Sequence, residues 1–275
     1  MLTISQLYIY PIKSLGGIAI NKAMVTDRGL QYDRRYMLVD ENNLFLTQRE
    51  YSAMALLRTA IERDNLLVYH KNALSAKLIL PLVPEPTNTN SMVKVWDDWC
   101  EGQYINKEAD DWFSVQLGVS CRLVYMPEST NRKVDYKYAL HNDITSFADG
   151  YPILLIGQSS LDDLNSHLEE PLPMNRFRPN IVFIGGIPFE EDTMGHFLIN
   201  DMNFYGVKLC ARCVITTTNQ DTGIAGKEPL KSLAKYRMTN NKVLFGQNVL
   251  GGSEGIISVG DSIQVLKRKP VVILS

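Results

Sequence analysis

The sequence predicts a β-rich α+β fold with a few short helices and a mostly β barrel in the second half of the chain. Three observations lead to this prediction. Stretches with apolar residues at alternate positions recur along the chain, turn-forming residues separate them, and only three stretches have the spacing of an amphipathic helix. The sequence contains no internal repeat and no low-complexity segment.

The first 125 residues are predicted to be mainly strands. The stretch TISQLYIYPI alternates apolar and polar residues, and SMVKVWDDWCEGQYI adds two short strands. Two hairpins are expected, one in RRYMLVDENNLFLTQRE with its turn at Asn42-Asn43 and one in LRTAIERDNLLVYH with its turn at Asp64-Asn65.

One helix is predicted before the middle of the chain. It covers NKEADDWFSVQLG, with Asn106 as the N-cap, acidic residues in the first turns and Gly118 after the last turn. Residues 127–146 are polar and follow no period, so we place a domain boundary at the start of this segment.

The second half is predicted to combine strands with two short helices. YPILLIG, NIVFIGG, FYGVKLC and CVITTT have the composition of strands, and EGIISVGDSIQVLKRK is expected to form two strands joined at Gly260-Asp261. The stretch SSLDDLNSHL places Leu161, Leu164 and Leu168 on one helical face, and EPLKSLAKYR is the other short helix.

The composition is typical of a soluble globular protein. Hydrophobic residues make up 45% of the 275 residues, charged residues make up 21%, and the formal net charge is −2. No general nucleic-acid or membrane binding is indicated. The N-terminus lacks the pattern of a signal peptide, and four cysteines in a chain of this length do not form a disulfide framework, so we expect a cytoplasmic protein.

A C-x-x-C pair stands in LCARCVITTTNQDTG, at Cys210 and Cys213. A redox pair would need its first cysteine at a helix start, which the β-branched CVITTT disfavours. A structural zinc site would need a second close pair, whereas Cys100 and Cys121 are 21 positions apart. Two interpretations remain: a pair of buried thiols, or a single thiolate that binds a metal whose other ligands come from a cofactor.

Basic residues near predicted strand ends could hold an anionic cofactor. Lys13 and Ser14 follow the first strand, where a cation and a hydroxyl could bind a phosphate. Arg34 and Arg35 are adjacent at a strand start and should face opposite sides. Solvated turns and surface arginines are the alternatives for each of these residues taken singly.

Two further stretches have the same character in the second half. NRFRPNIVF puts Arg178 and Asn180 directly before an apolar strand, and Arg176 shares a face with Arg178 if this stretch is extended. FADGYPILL forms a tight turn from Asp149 to Tyr151, where backbone N–H groups could also bind an anion.

These motifs together resemble a known family. LYIYPIKSL, DRRYMLVD, LTQRE, FADGYPILLIGQSSLDDLN, NRFRPNIVF, CARCVITTTNQDTG and FGQN occur in this order in MOSC-domain proteins. The chain is most similar to the branch of the mitochondrial amidoxime-reducing component and its bacterial relatives. The resemblance covers nearly the whole chain and implies a MOSC N-terminal β-barrel-type domain at residues 1–126 and a MOSC domain at residues 127–275.

The resemblance also implies a molybdopterin-type molybdenum cofactor between the two domains. The second cysteine of the C-x-R-C pattern, Cys213, is the implied molybdenum ligand and catalytic residue. The cofactor-binding residues implied by the match, besides Cys213, are Lys13, Ser14, Arg34, Asp149, Gly150, Tyr151, Arg178, Asn180, Ala211, Arg212 and Asn248.

The chain departs from the mitochondrial branch at several of these positions. Gly150, Tyr151 and Asn248 differ from the side chains found there, and Ala211 lacks the small polar side chain of that branch. Cofactor contacts at these positions would have to come from the backbone.

The implied activity is the reduction of N-hydroxylated compounds such as hydroxylamines, amidoximes or N-hydroxylated nucleobases. The alternatives are a persulfide sulfur carrier and a protein that stores or delivers the molybdenum cofactor. Asp221 is a candidate general acid, with a simple turn as the alternative. Because no C-x4-C-x2-C spacing occurs, we expect electrons from a separate flavoprotein reductase or ferredoxin. We expect no membrane and no nucleic-acid polymer as a partner.

Overall fold

The computed structural model describes residues 1–270, which contain nineteen strands and three α-helices. The elements of the first half are β1 Leu2–Ile9, β2 Ile18–Ile20, β3 Lys22–Thr26, β4 Gly29–Leu30, β5 Tyr36–Val39, β6 Leu57–Glu62, β7 Asn65–His70, β8 Ala73–Pro81, β9 Asn90–Val95, β10 Asp98–Tyr104, α1 Lys107–Leu117 and β11 Arg122–Tyr125. Those of the second half are β12 Ile153–Gly157, α2 Gln158–Ser166, β13 Ile181–Ile184, β14 Met194–Ile199, β15 Met202–Ala211, α3 Leu230–Leu233, β16 Met238–Thr239, β17 Lys242–Gly251, β18 Gly255–Ser258 and β19 Ser262–Arg268.

Six strands of the second half, together with β1, form a closed barrel of seven strands, so the barrel predicted for the second half is confirmed. The strands follow the order β12, β13, β1, β19, β14, β15 and β17, and pairing of β17 with β12 closes the ring. Alternate residues of each strand fill the interior, among them Leu155, Phe183, Phe197 and Phe204. Closure leaves these seven strands without an open edge.

The first strand of the chain belongs to this barrel. β1 lies between β13 and β19, and β3 pairs with β18. β2 pairs with β1, and β4 pairs with β3. The other strands of the first half form a four-stranded sheet (β5, β11, β10, β9) and a three-stranded sheet (β6, β7, β8). The domain boundary between residues 126 and 127 stays a prediction. Residues 2–9 precede this boundary in sequence but pair with strands that follow it.

The predicted helix before the middle of the chain is confirmed as α1. The Asn106 side chain accepts a hydrogen bond from the Ala109 N–H at 2.8 Å, and Gly118 ends the helix with φ +68°. Both ends therefore use the capping chemistry expected from the sequence. Ala109 and Phe113 bury the inner face of the helix.

The hairpin turns are predicted to within one residue. Asn42-Asn43 forms the first turn, where Asn43 has φ +62°. The second turn is Arg63-Asp64, because Arg63 adopts the left-handed conformation and Asn65 already pairs with the preceding strand.

The prediction of a strand at CVITTT is wrong. Val214–Thr217 is a 3-10 turn that begins after Cys213. The hydroxyls of Thr216 and Thr217 donate to the backbone carbonyls of Cys213 and Val214 at 2.9 and 2.8 Å. Such local bonds give β-branched threonines an alternative to strand pairing.

Eight strands lie outside the stretches predicted as strands: β2, β3, β4, β8, β11, β14, β16 and β17. A reason can be given for β8 and for β17. Most β8 residues are exposed, so the strand lacks a clear apolar face. In β17 the alternation is broken by Gly246, at φ +85°, and by the polar pair that follows it. We have no comparable physical account for the other six. None of the helices within residues 1–270 is long and apolar enough to cross a membrane.

Replacing Asn106 by Ala should lower the free energy of unfolding by about 1 kcal/mol, because α1 loses its N-terminal cap. Urea denaturation would measure the change as a lower midpoint with an unchanged slope. Asn72→Ala, at an exposed turn, is the matched control and should have no effect. Equal midpoints for wild type and Asn106→Ala would contradict the assigned cap.

Candidate functional site

A cleft of about 750 Å³, counting the space at its open mouth, lies against the outer wall of the barrel. Leu154 and Asn248 form part of its wall, and their strand neighbours point into the barrel core. All twelve residues predicted for the site line this one cleft, from both halves of the chain: Lys13, Ser14, Arg34, Asp149, Gly150, Tyr151, Arg178, Asn180, Ala211, Arg212, Cys213 and Asn248.

Lys13 enters the cleft from the loop after β1. Its ammonium donates to Asp149 Oδ1 at 2.6 Å and to the Phe147 carbonyl at 2.8 Å, and the residue is only 4% exposed. Burial lowers the pKa of Lys13 to about 8, although the Asp149 carboxylate opposes this shift. The charge of the Lys13 ammonium therefore depends on its burial and on the Asp149 carboxylate.

Arg34 is held by a buried carboxylate. Its Nη1 donates to Asp33 Oδ2 at 2.6 Å and to Asn180 Oδ1 at 3.1 Å. Against the effect of burial, Asp33 keeps the pKa of Arg34 above its ordinary value. The adjacent Arg35 bonds instead to Glu128 and the Met126 carbonyl, so the two arginines have different partners.

Asn180 holds its neighbours through all of its amide atoms. Its Oδ1 also accepts from the Leu154 N–H at 3.1 Å, and its Nδ2 donates to the Tyr8 carbonyl at 3.2 Å. With 1% exposure, Asn180 contributes to the cleft chiefly by fixing Arg34 and the barrel wall.

Arg178 differs from Arg34 in having no carboxylate partner within residues 1–270. Its Nη1 donates to the Leu15 carbonyl at 2.7 Å. Burial lowers the pKa of Arg178 to about 10, and the charge of Arg34 adds to the effect, so the guanidinium stays protonated at neutral pH. Arg178, which is partly buried, therefore adds a positive charge to the cleft that no ion pair within residues 1–270 neutralises.

The expected common face of Arg176 and Arg178 is not found. Met174–Arg176 is a 3-10 turn and Arg178 has φ +54°, so the stretch is not extended. Arg176 instead donates from Nε to the Thr216 carbonyl at 2.8 Å, which fixes the turn that follows Cys213.

The two cysteines of the C-x-x-C pair have different surroundings. Cys210 Sγ accepts from Arg212 Nη1 at 3.0 Å, whereas no hydrogen bond to Cys213 Sγ occurs within residues 1–270. Both thiols are free and partly exposed. Arg212 also donates to the Phe177 carbonyl at 2.6 Å, and its buried Nε is unpaired.

Two residues that support the cleft were not predicted. Arg132, 4% exposed, donates to the carbonyls of Ser146, Ala148 and Asp149 at 3.0, 2.5 and 3.0 Å and so fixes the turn at Asp149. Its segment is polar without a period, so no sequence signal marks it. Trp96 donates from Nε1 to Asp149 Oδ1 at 3.2 Å.

Asp221, the candidate general acid, is not a lining residue of the cleft. It lies in a turn capped by Asn219, and its carboxylate pairs with Arg58 at 2.9 Å and Lys71 at 3.2 Å. The alternative, a simple turn, therefore describes Asp221. Within residues 1–270, no three His, Cys, Asp or Glu side chains form a metal site by themselves.

The fold and the cleft together define a class of protein: a seven-stranded barrel joined to an N-terminal β unit, with a basic cleft and a free thiol between them. Family comparison matches the MOSC N-terminal beta barrel domain at residues 1–120 and the MOSC domain at residues 142–264. The chain therefore belongs to the MOSC-domain family. The resemblance and the β-rich fold predicted from the sequence are both confirmed.

Curated relatives match along most of the chain. Mouse mitochondrial amidoxime-reducing component 1 is 33% identical, and the match covers 96% of this chain and 82% of that protein. The human protein of the same name is 30% identical, with coverages of 96% and 83%. Rice molybdenum cofactor sulfurase is 31% identical over 88% of this chain but only 32% of its own length.

The low pKa of Lys13 predicts a distinct alkaline stability profile. Because burial lowers the pKa from 10.5 to about 8, the unfolded chain binds more protons between these two pH values. The penalty for burying the charge is full below pH 8 and is relieved as the pH rises. The free energy of unfolding of the wild type should therefore rise relative to Lys13→Met, by up to about 1.4 kcal/mol per pH unit.

Urea titrations at several pH values would measure this difference. Lys107→Met is the matched control, since that side chain is 84% exposed, and its profile should stay parallel to that of the wild type. A parallel profile for Lys13→Met would show that Lys13 has an ordinary pKa in the folded protein.

Proposed function

We propose that this protein is a molybdenum-cofactor-dependent oxidoreductase that reduces N-hydroxylated compounds. One observation carries the proposal: four basic side chains line the same cleft as a cysteine thiol that has no hydrogen-bond partner within residues 1–270. The names of the mouse and human relatives support amidoximes as the substrate class.

The donor set of the cleft fits an anionic pterin cofactor. Lys13, Arg34, Arg178 and Arg212 provide positive charge, and only Asp149 among the lining residues is acidic. Within residues 1–270, the buried Nε of Arg212 has no acceptor, and Arg178 has no carboxylate partner. A phosphate-bearing ligand would provide those acceptors.

The residues of the cleft and their neighbours would have separate roles. Cys213 would supply one thiolate to the metal, and the four cations would hold the anionic part of the cofactor. Asp33 and Asn180 would keep Arg34 oriented, while Arg176 would fix the turn after Cys213. When bound, such a cofactor supplies transfer of an oxygen atom coupled to two electrons.

The overall reaction would convert an N–OH group, two electrons and two protons into an N–H group and water. The electrons would come from a separate flavoprotein or ferredoxin. The word "component" in the relatives' names supports a divided system. Electron-transfer contacts of this kind are usually small and sensitive to salt.

A persulfide carrier is the second candidate, favoured by the similarity to rice molybdenum cofactor sulfurase. One preparation from a cofactor-competent host separates the two. The reductase should contain molybdenum and reduce an aryl amidoxime with a chemical reductant. A carrier should instead hold sulfur that cyanide releases from Cys213. Absence of both molybdenum and turnover in that preparation would reject the reductase.

Cys213→Ser should abolish amidoxime reduction, whereas Cys210→Ser should keep much of it. A hydroxyl is a poorer ligand than a thiolate for a soft metal centre, and only Cys213 is assigned as a ligand. Turnover and circular dichroism of both purified variants would test this. Equal losses in two well-folded variants would favour a redox pair.

Arg178→Ala should lower molybdenum occupancy more than stability. A charge-assisted hydrogen bond to an anion contributes about 1.5–3 kcal/mol, or roughly tenfold or more in affinity. Elemental analysis and thermal melting would separate the two effects. Arg63→Ala removes an exposed arginine and serves as the control. Full molybdenum content in Arg178→Ala would mean that Arg178 has a structural role only.

A further inference from the structure

The ring of Tyr10 lies against two cations of the cleft. The guanidinium carbons of Arg34 and Arg178 are 4.4 and 4.3 Å from the ring centroid, within the range of cation–π attraction. Tyr10 is 3% exposed and does not line the cleft. One buried ring therefore contacts both cations without being available to the ligand.

These contacts limit how far apart the two guanidiniums can be. Their carbons cannot be separated by more than the sum of the two distances to the ring, which a phosphate or diphosphate group can span. Positive charges at such a spacing repel each other, and attraction to a shared ring offsets part of that repulsion.

The backbone of Tyr10 belongs to the same cluster. Its N–H donates to Asp33 Oδ1 at 2.8 Å, and its carbonyl accepts from the Arg34 N–H at 2.8 Å. In the part of the chain that the structure describes, Asp33 forms an ion pair with Arg34 alone, so the cluster of one carboxylate and two guanidiniums keeps one positive charge.

Close packing fixes the ring in place. A Cβ atom at Gly17 would lie 2.4 Å from Cε1 of Tyr10, so the ring occupies space that only glycine leaves free. The Leu15 carbonyl, in the same loop, holds Arg178. Packing thus fixes the position of the Tyr10 ring before any ligand binds.

We propose that Tyr10 is a positioning residue whose ring sets the spacing of Arg34 and Arg178, so that both bind one phosphate or diphosphate group. This inference rests on the proposed function only in taking the ligand of the cleft to be a phosphate-bearing anion. The preset spacing would avoid an ordering cost when the anion binds.

Calorimetric titration of the full-length chain with inorganic pyrophosphate tests this role. Tyr10→Phe keeps the ring and should bind within about twofold of the wild type. Phenylalanine carrying one and then three fluorines at position 10 keeps the shape while weakening the attraction to cations. The trifluorinated variant should bind pyrophosphate roughly tenfold more weakly, because two cation–π contacts are lost.

Three results would overturn the inference. Unchanged affinity across the fluorinated series, even with a lower Tm, would make Tyr10 merely structural. A loss as large in Tyr10→Phe would assign the effect to the hydroxyl. No pyrophosphate binding by the wild type would remove the anion site itself. None of these measurements needs molybdenum or turnover, so failure here is distinct from failure of the reductase proposal.

Discussion

The cleft gathers more positive charge than its own carboxylates neutralise, and the arrangement of the site depends on this imbalance. Four of its lining residues are basic and one is acidic. Two of the cations pair with carboxylates, whereas Arg178 and Arg212 donate to backbone carbonyls and a sulfur atom. Cations that are buried or partly buried with so few anionic partners are costly. An anionic ligand would offset part of that cost.

Barrel closure holds these like charges together. Pairing of β1 with β13 brings the loop after Tyr10 beside Arg178 and Asn180, although more than 160 positions separate them in sequence. The lining residues Ser14, Arg34 and Arg178 all have positive φ, of +68°, +50° and +54°. Left-handed backbone at non-glycine residues costs free energy and persists only where the surroundings enforce it. The stable barrel supplies that enforcement.

The sequence predicted elements whose signals are local. Alternation predicted most strands, capping residues predicted α1, and the family motifs selected residues that all line the cleft. It did not predict Arg132, nor the bond by which Arg176 fixes the turn after Cys213, because both side chains act through distant backbone carbonyls that no local pattern specifies. The prediction of a strand at CVITTT was wrong for a different reason. Threonine favours strands on average, but in this turn the threonine hydroxyls bond to nearby backbone carbonyls instead.

Trp96 has a consequence for how the cleft can be observed. Its indole donates to Asp149, whose turn lines the cleft, and the guanidinium carbon of Arg49 lies 4.1 Å from its ring centroid. The chain has three tryptophans, and the other two are Trp99, on β10, and Trp112, in α1. An indole bonded to a carboxylate and stacked with a cation has an emission sensitive to both partners. The protein thus carries an intrinsic fluorophore that is hydrogen-bonded to a lining residue of the cleft, so a ligand that contacts Asp149 is expected to change the emitted light without any attached label.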